Sequence, residues 1–223
     1  DDWIDQLFIA NTHDYILCFS NRGRLYWLKV WEVPQGSRNS RGKPIVNMFP
    51  LDKDEKVNVV LPLTGEFRTF PEDHYIFMAT RLGTVKKTPL TDFSNPRKAG
   101  IIAVGLDEGD VLVGAALTDG KHDVMLFSDG GKAVRFDEED VRPMGRSARG
   151  VRGMMLEEGQ SVIAMLVAED ESQSVLTATE NGYGKRTSIV EYTRHGRGTK
   201  GMIAIQQSER NGKVVAATLV RPA

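Results

Sequence analysis

The chain has 223 residues, with 29 Lys and Arg against 30 Asp and Glu and a formal charge of −1. Its 40% apolar and 26% charged content is that of a soluble globular protein, no run approaches the roughly 18 apolar residues of a membrane helix, and the acidic start Asp1-Asp2-Trp3-Ile4-Asp5 has no signal-peptide pattern. A lone cysteine, Cys18, excludes an internal disulfide or a Cys-rich zinc site, and a near-neutral balance means that any polyanion site must come from uneven placement of the cations.

Taken from the N-terminus, residues 3–10 read as a strand that ends a repeat. Four units of four short apolar segments follow. The first segments (a) are 15–19, 75–79, 124–127 and 174–178. The second (b) are 24–29, 84–88, 132–136 and 183–187. The third (c) are 44–48, 101–106, 151–156 and 202–205, and the fourth (d) are 57–63, 111–117, 162–167 and 214–220. All are rich in Val, Ile, Leu and aromatics and are bounded by Gly, Asn, Asp or Pro, which is the strand signature. Short a–b turns such as Ser20-Asn21-Arg22-Gly23 and Ser128-Asp129-Gly130-Gly131 read as hairpins. Markers such as Gly42, Gly100, Gly150 and Gly201 recur at about 50 residues, the spacing of a propeller-like array. The expected units are approximately 11–70, 71–120, 121–170 and 171–223, preceded by a partial blade at 1–10. Together they make one all-β domain of four-stranded blades, a fragment of a larger subunit. The d segments, near-continuously apolar at 111–117 and 162–167, are expected to be buried on both faces, with Leu166 as a core residue. Cys18, inside an apolar run, reads as a buried inert thiol.

Catalytic chemistry is hard to find. His13-Asp14, Asp73-His74 and His122-Asp123 all precede an a segment, and no His-x-His or His-Glu-x-x-His occurs, so neither metal nor cofactor is expected. Gly182-Tyr183-Gly184-Lys185 lacks the earlier glycine of a phosphate loop, because Thr179 stands there. Asp107-Glu108, Glu157-Glu158 and Glu138-Glu139 read as solvated turn charges. The cations are different, because they recur at equivalent places. On or after the b segments lie Arg24, Lys86, Lys87, Lys132, Arg135, Lys185 and Arg186. On the b–c links lie Arg38, Arg41, Lys43, Arg97, Lys98, Arg146, Arg149, Arg152, Arg194, Arg197 and Lys200. Rotation-related blades would set these on one rim, with the acids apart on the c–d turns near Asp54, Asp107, Glu157 and Glu209. Such segregation predicts a phosphate-binding track for duplex DNA.

The strings Thr12-His13-Asp14-Tyr15-Ile16-Leu17-Cys18-Phe19-Ser20, Arg41-Gly42-Lys43-Pro44-Ile45-Val46-Asn47, Gly83-Thr84-Val85-Lys86-Lys87-Thr88, Asn181-Gly182-Tyr183-Gly184-Lys185-Arg186-Thr187 and Thr199-Lys200-Gly201 resemble the C-terminal domain of the bacterial DNA gyrase A subunit along essentially the whole chain. The resemblance implies a β-pinwheel whose blades exchange strands with their neighbours. It further implies wrapping of duplex DNA on a basic rim, for negative supercoiling by a cytoplasmic, nucleoid-associated enzyme. Partners would be the rest of the gyrase A subunit and the gyrase B subunit. The ATP, Mg and catalytic residues of the holoenzyme would lie outside this chain, which would have no small-molecule substrate and no membrane contact. The family's domain usually has six blades and a Gln-Arg-Arg-Gly-Gly-Lys-Gly box, whereas this chain has four complete units and no such box. The related domain of the topoisomerase IV A subunit and a protein-binding propeller remain the alternatives. An enzyme built on a propeller would need polar groups converging on a central channel, and none is visible.

Overall fold

The computed structural model describes residues 14–29, 48–205 and 211–221. The expected strand at 3–10, nearly all of the c segment at 44–48, and His13 lie outside them. The strands are β1 (Tyr15–Ser20), β2 (Arg24–Lys29), β3 (Val57–Leu63), β4 (Tyr75–Thr80), β5 (Thr84–Pro89), β6 (Ile101–Ile102), β7 (Leu112–Thr118), β8 (Asp123–Ser128), β9 (Lys132–Asp137), β10 (Val151–Arg152), β11 (Val162–Ala168), β12 (Ser174–Thr179), β13 (Gly184–Ser188), β14 (Met202–Ile203) and β15 (Val214–Val220). Helical pieces among the described residues are 3-10 turns, and no helix is long and apolar enough to cross a membrane.

These strands form three four-stranded sheets, β3-β1-β2-β6, β7-β4-β5-β10 and β11-β8-β9-β14, and a three-stranded sheet, β15-β12-β13. Each is built on an a–b hairpin with the d strand of the same unit on one side. In the three four-stranded sheets the outer edge is the c strand of the following unit: β10 pairs with β5, with Val151 opposite Val85, and β14 pairs with β9, with Met202 opposite Ala133. The sequence repeat and the blade are therefore offset by one strand. The b–c links of the second, third and fourth units cross from their own blades to the preceding ones.

Glycine makes this crossing possible at the hairpin turns. Gly83 has φ +93° and Gly131 φ +84°, conformations that favour glycine. A Cβ on Gly83 would lie 2.5 Å from Met154 O, and one on Gly131 would lie 2.4 Å from Ile205 O. The donated segment thus lies directly against the turn, where Gly153 N–H donates to Gly83 O at 2.7 Å.

Apolar burial lies between blades as much as within them. Leu17, Phe19 and Trp27 of the first blade pack with Ile76, Leu90 and Phe93 of the second. Phe77 and Val85 of the second pack with Val124 and Phe136 of the third. Met125 and Phe127 of the third pack with Val175, Ile189 and Tyr192 of the fourth. The hairpin strands β1, β4 and β8 are almost wholly buried. The d strands depart from expectation: β11 is mostly half-buried, Leu166 included, and β15 is largely half-buried or exposed. The reason is positional. A d strand is the edge of its sheet and touches chiefly its own hairpin and the neighbouring d strands: β3 lies against β7, β7 against β11 and β11 against β15. Its continuous apolarity records a row of edge-to-edge contacts, not cover on both faces. The blades therefore meet along their d edges, which leaves the c edges and b–c links on the opposite side.

Candidate nucleic-acid interface

Among the described residues, three b–c links leave their b strands through a 3-10 turn, Leu90–Phe93, Glu138–Asp140 or Ile189–Glu191, and run to the c strand. The turn is anchored beneath by an apolar or acidic residue at its first position. The rest of the link, rich in Gly, Ser, Pro and Arg, has too few apolar residues to be drawn inward and stays at the surface. Arg97, Lys98 and Lys200 are exposed there, as are Arg152 on β10 and Lys185 and Arg186 on β13. None carries an ion pair or side-chain hydrogen bond among the described residues. Lys132 and Arg146 are half-buried. Arg38, Arg41 and Lys43 lie outside the described residues.

Three expected rim cations are instead interior groups. Lys86 is fully buried, its amine donating to Ala103 O at 2.7 Å and Arg146 O at 2.6 Å. Burial pushes its pKa down to about 8. Lys87, also buried, donates to Glu138 O at 3.0 Å and sits 5.0 Å from the centre of the Tyr75 ring. Arg135, buried too, donates to Ile189 O and Tyr192 O, both at 3.1 Å, and to Asp123 Oδ2 at 2.8 Å. A phosphate cannot reach these groups, which removes them from the track. A signal for this was present in the chain. At the equivalent position of the first blade stands Trp27, whose indole N–H donates to Phe93 O at 2.8 Å. The position requires a long donor that reaches the 3-10 turn of the next blade, and positive charge is incidental to that task.

Other cations are already engaged. Arg24 is 3.7 Å from Asp52, and Arg149 pairs with Asp107. Arg194 grips Asp123 through Nε at 2.9 Å and Nη2 at 2.8 Å, and that hydrogen bond raises its pKa further above the ordinary arginine value. Arg197 donates to Asp140 O and Arg152 O, each at 3.1 Å. Separation of acids from cations along the chain is thus not separation in space. Strand exchange lays the c segment of one unit, with its trailing acid, beside the b–c link of the next, so that Asp107 meets Arg149. Around that pair opens a polar cleft of about 340 Å³, lined also by Thr84, Asp110, Gly150 and Arg152. An anion entering it must compete with two carboxylates but finds two guanidinium groups.

A series of strand-exchanging blades, joined along one edge and bearing exposed cations on the links of the other, defines a propeller-like repeat domain. The chain belongs to the family described as the DNA gyrase C-terminal domain, beta-propeller, whose profile matches residues 14–63, 74–119, 122–169 and 173–221. It is 55% identical over 220 residues to the DNA gyrase A subunit of Klebsiella oxytoca and 51% identical to that of Escherichia coli K12. In each case 99% of this chain is covered but only 24% and 25% of the relative. The chain therefore spans about a quarter of the length of these curated relatives. Among solved structures it is similar to the C-terminal domain of DNA topoisomerase IV (TM-score 0.86, 28% identity, 95% of this chain and 65% of the other). It is also similar to the DNA gyrase A C-terminal domain (TM-score 0.77, 28% identity, 95% and 67%).

Proposed function

We propose that this chain is the DNA-wrapping domain of a gyrase A subunit. It binds duplex DNA by its phosphates along the outer links and bends it, so that the complete enzyme, with the rest of the A subunit and with the B subunit, introduces negative supercoils at the expense of ATP. The observation that carries this reading is the set of exposed cations with no partner among the described residues, Arg97, Lys98, Arg152, Lys185, Arg186 and Lys200, on strands and links facing away from the shared d edge. Duplex is favoured over single strands because few exposed aromatics accompany these cations, and stacking on unpaired bases needs such platforms. Identity near half to gyrase A subunits supports gyrase over topoisomerase IV, since the two structural likenesses stand at the same 28%.

The test replaces Arg97, Lys98 and Arg152 together by Ala, three exposed cations with no partner among the described residues. Each lost phosphate contact lowers the slope of log affinity against log salt by about 0.9, so the triple change lowers it by up to about 2.7. The loss is similar on unrelated DNA sequences, because phosphates carry no base identity. In the full enzyme, negative supercoiling falls more than relaxation of supercoiled DNA, which needs strand passage but no wrap. Gel-shift titrations across salt, paired with a topology assay, decide the matter: an unchanged slope with undiminished supercoiling removes these residues from the track.

A further inference from the structure

Glu138 is a carboxylate where the repeat otherwise places an aliphatic side chain. Its backbone N–H donates to His122 O, as Leu90 N–H donates to His74 O and Ile189 N–H to Gln173 O. The three residues therefore share one position at the head of the 3-10 turn. Leu90, Ile189 and Glu138 are all fully buried. A buried carboxylate is costly unless its charge is matched, and the third unit alone among these three accepts that cost. It also departs from the solvated-turn reading of Glu138-Glu139.

The groups facing Glu138 match it only in part. His122 N–H donates to Oε2 at 2.8 Å. Lys87 Nζ lies 3.9 Å from Oε1, but its hydrogen bond goes to the Glu138 carbonyl. Oε1 is left with no hydrogen-bond partner. The ring atom Nδ1 of His122 is likewise buried without an aligned hydrogen-bond partner, although it stands 2.8 Å from Asp119 Oδ1 and 3.6 Å from Glu138 Oε2. One imidazole nitrogen and two carboxylate oxygens thus fall within 4.8 Å of one another.

We propose that Asp119, His122 and Glu138 form a binding site for a divalent transition-metal ion of the zinc class. Bonds of 2.0–2.1 Å at tetrahedral angles put zinc ligands about 3.3 Å apart, and the 2.8 and 3.6 Å separations bracket that value. A nitrogen among three protein donors suits zinc and its neighbours better than calcium or magnesium, which take oxygen shells. Two carboxylates against the single ammonium of Lys87 leave the cluster net negative, so a cation is favoured. The partly exposed Asp119 provides the way in, and water completes the shell. Such an ion ties the β7–β8 link to the turn after β9, beside Lys87 of the neighbouring blade and at the root of the link carrying Arg146 and Arg149. No sequence motif announces it: Glu138 is 16 residues from His122, and only the hairpin β8–β9 closes that distance. The proposal is independent of DNA binding.

The test uses the full-length subunit, stripped with chelator and titrated with zinc by calorimetry and metal analysis. Wild type is expected to take up one equivalent more than Glu138→Leu. That variant introduces the residue found at the same position of the second blade and is expected to keep the fold. Asp119→Asn, at a half-open surface site that leaves the core untouched, is expected to weaken zinc binding by at least about 10-fold. Zinc is expected to raise the thermal midpoint of wild type and not of Glu138→Leu, because a ligand bound only by the folded state stabilises it. Equal stoichiometry and affinity in wild type, Glu138→Leu and Asp119→Asn, or no uptake by stripped wild type, overturns the proposal.

Discussion

Trp27, Lys87 and Arg135 occupy one position in three successive blades, and each sends a long donor to carbonyls of the next blade's 3-10 turn. Arg135 does most, since it also holds the buried Asp123 that Arg194 reaches from outside. Without Arg135, Asp123 keeps Arg194, but the carbonyls of Ile189 and Tyr192 lose their donor, and a buried polar group left unsatisfied costs about 1–3 kcal/mol. Arg135→Ala is therefore expected to lower stability by that order, read from urea unfolding midpoints at constant slope. Lys86 behaves differently. Burial depresses its pKa from 10.5 to about 8, so between those values the unfolded chain holds a proton that the folded chain has lost. Its contribution to stability therefore rises as pH climbs from about 8 to 10.5 and is flat above. Lys86→Met is expected to abolish that rise, which pH-dependent denaturation curves of the two proteins would reveal. Composition could not sort these roles: a lysine in a b segment looks the same whether its amine meets water or a carbonyl. Cys18, by contrast, was legible, because a thiol within Tyr15–Ser20 has only the interior to occupy. It is buried, and its pKa is pushed up to about 12.

The a, b and d strands are legible element by element, because each is a run of apolar residues closed by turn formers. The c strands are legible in place, beginning at 101, 151 and 202 as expected, but not in length or partner, since β6, β10 and β14 have only two residues each and belong to the blade before their own unit. No local pattern states which neighbour a strand will join; that is decided by which sheet edge is open. The turn glycines carry part of this decision. A side chain at Gly83 or Gly131 meets both a positive φ and a carbonyl of the incoming segment under 3 Å away. The backbone penalty alone is about 1–2 kcal/mol, and the clash with an immobile carbonyl adds to it. Gly131→Ala is expected to lose more than that, and hydrogen exchange should rise first at Ala204, whose N–H donates to Gly131 O at 2.8 Å. Normal protection there would show that the donated strand needs no close approach.

Across the whole molecule, charge nearly cancels, at −1. Attraction to a polyanion must then come from position: exposed cations on the outer links, with several acids drawn into pairs with Arg24, Arg149 and Arg194. Bending 20–30 base pairs by 40–90° costs on the order of 1–6 kcal/mol, which only several phosphate contacts can offset. If the outer side meets about six to ten phosphates, affinity falls by about 10³–10⁵ between 50 and 200 mM salt. Burial sharpens this into a contrast between two kinds of lysine. Changing Lys185, Arg186 and Lys200 to Ala removes exposed charge only. It is expected to lower the salt slope by up to about 2.7 with the thermal midpoint unchanged. Changing Lys87 to Met removes a buried donor. It is expected to lower the thermal midpoint while leaving the salt slope, measured well below that midpoint, where it was. The two variants should therefore separate cleanly on a plot of salt slope against thermal midpoint. A loss of slope in Lys87→Met at full folding would mean that this amine leaves the interior to meet DNA, and the division between stapling and binding cations would fall with it.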